Sequence, residues 1–206
     1  FWYNTHTMIG AHVSIAGGIF NAPARAAAEG LECFQMFTRS PQGGSAPELT
    51  SEVVAKFRAA CTEHRQKLWV VHTPYYINLA SAKAKTRASS VRVIREELER
   101  ASLIGATYCM THLGSAREVS KEEGRAFVVE GLKRIVDGYM GSTQFLIEIA
   151  AGAGAVMGDT FEELAEILAA VGRADIGICF DTQHAFGSGY DLRTPATVAA
   201  TMENFD

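Results

Sequence analysis

The sequence predicts an α/β fold: a TIM (β/α)8 barrel represented by about six βα units. Three observations predict it. Short apolar runs of strand length alternate with helix-length amphipathic segments along the chain. Several of these runs end on a side chain that binds metals. His72 closes Leu68-Trp69-Val70-Val71, His112 closes Tyr108-Cys109-Met110-Thr111, Glu148 closes Phe145-Leu146-Ile147, and Asp181 follows Ile176 to Phe180. Finally, these four residues are 40, 36 and 33 residues apart by subtraction. Each step is close to one unit of an eightfold barrel, about 31 residues.

The elements follow in order. Met8 to Ser14 reads as the first strand and carries His12; Ala16-Gly17-Gly18 forms the loop behind it. An Ala-rich helix tolerates Pro23 in its first turn and stops at Gly30. Cys33 to Thr38 is the second strand. The loop from Arg39 to Leu49 follows, with a helix capped by Thr50 or Ser51 running to about Arg65. Leu68 to Val71 delivers His72. Behind it come Tyr75 and Tyr76, at least one of them exposed, since neighbours on a loop cannot both face one core. A long helix from about Ala82 to Leu103 closes at Gly105. Ser120 and Glu123, then Thr160 and Glu163, read as capping boxes opening the next two helices. Ile176 to Phe180 reads as a strand buried on both faces, leading into a Gly-rich loop that holds Asp181 and His184. Thr194-Pro195 starts a last helix.

Six strands leave a barrel unclosed, so the expectation is a chain that stops two βα units short, with residues 8–206 as one barrel domain. Residues 1–7 are read as a leader or the start of a fragment. Hydrophobic content of 48% and charged content of 20% are ordinary for a globular domain. A formal charge of −4 gives no basic footprint, so any nucleic-acid contact has to come from a local patch or bound cations. Cys33, Cys61, Cys109 and Cys179 form no CxxC pair and read as reduced cysteines of a cytoplasmic protein. No apolar run reaches membrane-spanning length, so no membrane partner is expected.

The ligand set is His72, His112, Glu148, Asp181 and His184. Imidazole and carboxylate donors without thiolates suit Zn²⁺, with Mn²⁺ as the other choice. A carboxylate can bridge two ions about 3.5–4 Å apart, the arrangement used in phosphoester hydrolysis. Each residue alone could be a satisfied polar group, and Asp181 could simply cap the next turn. Five such residues at strand ends in register are harder to ascribe to coincidence. His12 is read as either a core histidine or a group supporting the ligands.

The residues also resemble a known family. Gly10-Ala11-His12-Val13-Ser14, Asn78-Leu79 and Asp181-Thr182-Gln183-His184-Ala185-Phe186, with Gly189-Tyr190-Asp191-Leu192-Arg193-Thr194-Pro195, are similar to the motifs of endonuclease IV. That family consists of xylose-isomerase-like TIM barrels that hold three zinc ions and cut double-stranded DNA on the 5′ side of abasic sites in base excision repair. The resemblance implies that His72, His112 and Glu148 hold the first zinc. Glu148 would bridge to a second ion on Asp181, and His184 would hold the third. Tyr75, or its neighbour Tyr76, matches the DNA-stacking position. Gln42 stands where the family has a groove-entering arginine, with Arg39 nearby to compensate. After Glu148 the family's Asn-Thr is replaced by Ile149-Ala150.

The resemblance implies a hydrolase, monomeric at full length, and a 206-residue chain inactive by itself. Two other readings compete. One is a divalent-metal sugar isomerase or epimerase on a related barrel, in which His184 would have no metal role. The other is a non-catalytic metal-binding fragment.

Overall fold

A computed structural model describes residues 8–206. The proposed leader at 1–7 and His6 lie outside the described residues. The six strands are joined in one parallel sheet in the order β1-β2-β3-β4-β5-β6, as the repeating βα pattern requires. Two compact units can be distinguished. The first contains the described residues up to Pro74, together with Glu97–Cys109 and Gly141–Thr143. The second contains Tyr75–Glu96, Met110–Met140 and Gln144–Asp206.

In the first unit β1 (Gly10–His12), β2 (Cys33–Met36) and β3 (Leu68–His72) pair in parallel. Gly10 opposes Cys33, and Cys33 opposes Leu68. A Cβ on Gly10 would sit 2.5 Å from the Cys33 carbonyl oxygen, so only glycine lets these strands approach. Helices α1 (Ala22–Ala28) and α2 (Ser51–Glu63) cover the strands. The Thr50 hydroxyl accepts the Val53 N–H and thereby caps α2. Phe34 stacks on Trp69 at 6.3 Å, and Phe57 meets the same indole edge-on at 5.7 Å. These aromatics form the unit's core. The strand at β1 is shorter than Met8 to Ser14, and all three of its residues are exposed.

Helix α3 (Ala84–Ile104) and strand β4 (Tyr108–Thr111) contribute residues to both units. The second unit adds α4 (Lys121–Val136), β5 (Gln144–Glu148), α5 (Phe161–Val171), β6 (Ile176–Cys179), α6 (Thr182–Gly187) and α7 (Pro195–Phe205). Strands β5 and β6 are parallel, with Glu148 opposite Cys179. Ser120 and Thr160 cap α4 and α5 by accepting the Glu123 and Glu163 N–H groups, and Thr194 forms a capping box with Thr197. Phe161 stacks on Tyr190 at 3.8 Å, with Phe205 edge-on at 5.2 Å. Tyr190 Oη also accepts the Phe161 N–H.

Two expectations are corrected. β6 is not buried on both faces: beyond Ile176 its residues are only half-buried. The stretch after Asp181 is a short helix, α6, rather than a loop; Asp181 supplies its N-cap by accepting the His184 N–H at 2.8 Å. Among the described residues no helix is long and apolar enough to cross a membrane.

Candidate metal centre

Parallel strands deliver their last residues to the same edge of the sheet, where connections leave for the covering helices. His112 follows β4, Glu148 ends β5, and Asp181 with His184 opens α6 beyond β6. In the second unit these four converge. One ligand atom each from Glu148, Asp181 and His184 lies within 4.8 Å of the others. His112 Nε2 is 3.5 Å from Glu148 Oε2, and His184 Nδ1 is 3.3 Å from Glu148 Oε1. The two imidazole rings are 5.1 Å apart and tilted by 57°.

Glu148 is 4% exposed. A buried carboxylate is costly unless opposite charge or hydrogen bonds meet it, and here imidazoles approach both its oxygens. A second carboxylate, Asp181, stands beside it. His184 Nδ1 lies 3.0 Å from the Ile149 carbonyl oxygen. A carbonyl can only accept, so the proton sits on Nδ1 and the lone pair on Nε2. Asp181 caps α6 through Oδ1. Capping leaves the second oxygen of this carboxylate available to a cation. Burial raises the Cys179 thiol to about 12, with Glu148 and Asp181 adding to the effect. The donors gathered here are imidazole nitrogens and carboxylate oxygens. Two imidazoles and two carboxylates fit a divalent cation such as Zn²⁺ or Mn²⁺.

His72 and His12 belong to the first unit. His72 ends β3 with Nδ1 2.6 Å from the Thr73 carbonyl, which again places the lone pair on Nε2. Phe37 meets its ring edge-on at 5.6 Å. His12 Nδ1 accepts from Gln35 Nε2 at 2.9 Å, and its ring lies 4.5 Å from Phe37. His12 is exposed on β1 rather than a core histidine; partial desolvation of its ring against Phe37, and then the charge of His72, lower its pKa. His12 is thus a neutral imidazole held by Gln35.

Among the residues assigned to DNA, Tyr75 is 69% and Tyr76 39% exposed, and Gln42 is exposed on its loop. Arg39 is corrected. It is 3% exposed, and its Nε donates to Glu97 Oε1 at 2.6 Å inside the unit. A guanidinium buried in that pair does not reach a duplex groove. Sequence reasoning missed the bonds that hold α6 against the β5 loop, including Ser188 Oγ donating to the Ala150 carbonyl at 2.8 Å. Nothing in a lone serine of a Gly-rich stretch signals that contact.

The family model described as "Xylose isomerase-like TIM barrel" matches residues 23–205. A protein named "Probable endonuclease 4" from Carboxydothermus hydrogenoformans is 37% identical over 197 residues, covering 96% of this chain and 69% of its own. One of the same name from Methanoculleus marisnigri is 38% identical over 201 residues, covering 97% and 71%. Among solved structures, endonuclease IV from Thermus thermophilus is similar with a TM-score of 0.84 at 32% identity, covering 97% of this chain and 71% of that one. A D-tagatose 3-epimerase-like protein has a TM-score of 0.73 at 20% identity, covering 96% and 72%, a likeness of fold alone.

Proposed function

The chain belongs to the endonuclease IV family of xylose isomerase-like TIM barrels, and from that premise we propose that it is a zinc-dependent DNA repair hydrolase. Its reaction is hydrolysis of the phosphodiester 5′ to an abasic site in double-stranded DNA, as in base excision repair. The observation that carries this reading is the convergence of Glu148, Asp181 and His184 within 4.8 Å, with His112 at 3.5 Å from Glu148.

Zinc, when bound, would supply Lewis acidity at the phosphate and activate water near neutral pH. The protein's own groups do the rest. Glu148 serves as the shared anionic ligand, with His112 and His184 on its two oxygens. In this proposal His72 joins His112 and Glu148 on the first ion, Asp181 holds the second and His184 the third. The Ile149 carbonyl keeps His184 in one tautomer, so its Nε2 lone pair needs no rearrangement when a cation arrives. Tyr75, and Tyr76 beside it, offer exposed aromatic faces on which a base next to the abasic gap can stack. Gln42 presents a neutral amide where the family has an arginine, so groove contact here depends less on salt than an arginine contact would.

The test incubates the protein at the full length of its relatives, supplied with zinc, with a duplex carrying one abasic site. Incision 5′ to that site, lost on chelation and in Glu148→Gln, is expected. Incision that survives Glu148→Gln would contradict the role given to this carboxylate. The sugar epimerase reading makes the opposite prediction for His184: His184→Ala would leave metal content unchanged, whereas the endonuclease reading expects one ion fewer.

A further inference from the structure

The second unit contains a set of bonds that tie its loops to one another sideways, and Asn78 is at their centre. It lies two residues after Tyr76, in the loop between β3 and α3. Its Oδ1 accepts the N–H groups of Ala80 at 3.0 Å and Ser115 at 3.1 Å, while Nδ2 donates to the Ser115 carbonyl at 3.1 Å. Its backbone N–H donates to Ser90 Oγ at 3.0 Å, and the Leu79 N–H donates to the Leu113 carbonyl at 3.0 Å. The amide thus satisfies both backbone groups of Ser115, three residues past His112. Gly114 lies between them with φ +95°, and a Cβ there would collide with Asn78, 2.6 Å from its Cα.

The connection continues. Ser115 forms an antiparallel bridge with Val156, its Oγ donates to the Ala155 carbonyl at 3.1 Å, and the Met157 N–H donates to the Gly114 carbonyl at 3.0 Å. Through Asn78 the loop bearing the exposed tyrosines is fastened to the loop behind His112, and through Ser115 to the loop behind Glu148.

We propose that Asn78 is a positioning residue that sets the Tyr75–Tyr76 pair in fixed register with the loops behind His112 and Glu148. The proposal rests on the endonuclease reading for what the tyrosines touch. Asn78 holds no metal and touches no reacting atom. Its effect is on where the aromatic face stands when a duplex arrives, so its loss acts on substrate binding and leaves the chemical step alone.

The test uses Asn78→Ala, and Asn78→Asp as a conservative variant that keeps both Oδ acceptor bonds. Three measurements are made on the protein at the full length of its relatives, with zinc supplied: metal content, amide exchange across 79–81 and 113–117, and kcat and KM on the abasic duplex. Asn78→Ala is expected to speed exchange in both segments and raise KM about tenfold, the effect of losing roughly one base–aromatic stack. Metal content should hold, kcat should stay within about twofold, and Asn78→Asp should recover only part of the loss, since it keeps the bonds from the Ala80 and Ser115 N–H groups but sets an acceptor against the Ser115 carbonyl. Tyr75→Ala should then cost much less in the Asn78→Ala background than in the native one, because both remove the same contact. Additive effects of the two substitutions, or loss of metal and kcat together, would overturn the positioning role. If the native full-length protein incises no abasic duplex while exchange still quickens in both segments, the endonuclease reading fails and the tie between the loops stands.

Discussion

Glu97 and Glu148 are both buried carboxylates, 0% and 4% exposed, and their surroundings differ in kind. Glu97, in the first unit, accepts from Thr38 Oγ1 at 2.7 Å and Arg39 Nε at 2.6 Å, with Arg100 Nε at 3.4 Å. Arg100 also donates to the Thr38 carbonyl at 2.9 Å and the Pro47 carbonyl at 2.8 Å, fastening the loop that holds Gln42. Permanent cations meet this charge at hydrogen-bonding distance. Glu148, in the second unit, is approached by imidazoles at 3.3 and 3.5 Å, with the carboxylate of Asp181 in the same group. Imidazole is charged only when protonated, and a second carboxylate repels the first. The first arrangement is complete as folded; the second gains from an added cation. Burial of a carboxylate therefore does not mark a functional site by itself; the chemistry of its neighbours does.

The largest expected effect tests the complete side of that comparison. Glu97→Ala strands two buried guanidinium groups and should cost about 3–5 kcal/mol of stability, measured by denaturant unfolding, with or without zinc. Glu148→Gln should do the reverse. Metal-free stability should change by about 1 kcal/mol or less. Zinc affinity should fall more than ~100-fold, beyond the range usual for groups that only support a ligand. Equal loss of stability in the two variants would erase the distinction.

Asp181 sharpens it, because one side chain caps α6 and, in the proposal, also serves a cation. Asp181→Ser keeps an oxygen for the His184 N–H and should leave metal-free stability nearly unchanged while weakening zinc binding. Asp181→Ala should weaken zinc equally and also lose about 1 kcal/mol of cap. Calorimetric zinc titration beside thermal unfolding separates the two. The smallest effect belongs to an exposed pair. Arg193 hydrogen-bonds Asp191 and holds its carboxyl at about 2. Because the folded value is depressed, its contribution is present above the unfolded value of ~3.9 and is lost as pH falls through about 2. An NMR titration should show that low midpoint and its return towards ~3.9 in Arg193→Ala.

Much of this was legible in the sequence. Strand ends at His72, His112 and Glu148 could be read because apolar runs stop abruptly at a polar residue, and the caps at Thr50, Ser120 and Thr160 follow local chemistry that needs no tertiary context. Arg39 was misread because nothing near it in sequence announces Glu97, 58 residues away. The helix α6 was missed because Gly187 and Gly189 argue for a loop, while what forms the helix is the Asp181 cap and a bond to Ile149 across 35 residues. Asn78 was visible only as part of a motif. Two of its three side-chain bonds depend on where Ser115 comes to lie, which no local pattern encodes.

The sideways ties among loops also bear on where this protein can accept new sequence. Surface loops ordinarily absorb insertions at little cost. Here the backbones at 78–80, 113–117 and 155–157 bond to one another, so an added residue in any of them shifts the others. The turns at Gly30, Gly138 and Gly172 are different: a side chain there would meet nothing within 4 Å, although each has a φ that favours glycine. A peptide tag or a grafted segment inserted beside those glycines should leave the edge carrying Glu148, Asp181 and His184 undisturbed. The same segment placed after Leu113 should disturb three loops at once, so drift in length and drift in function are confined to different parts of the chain.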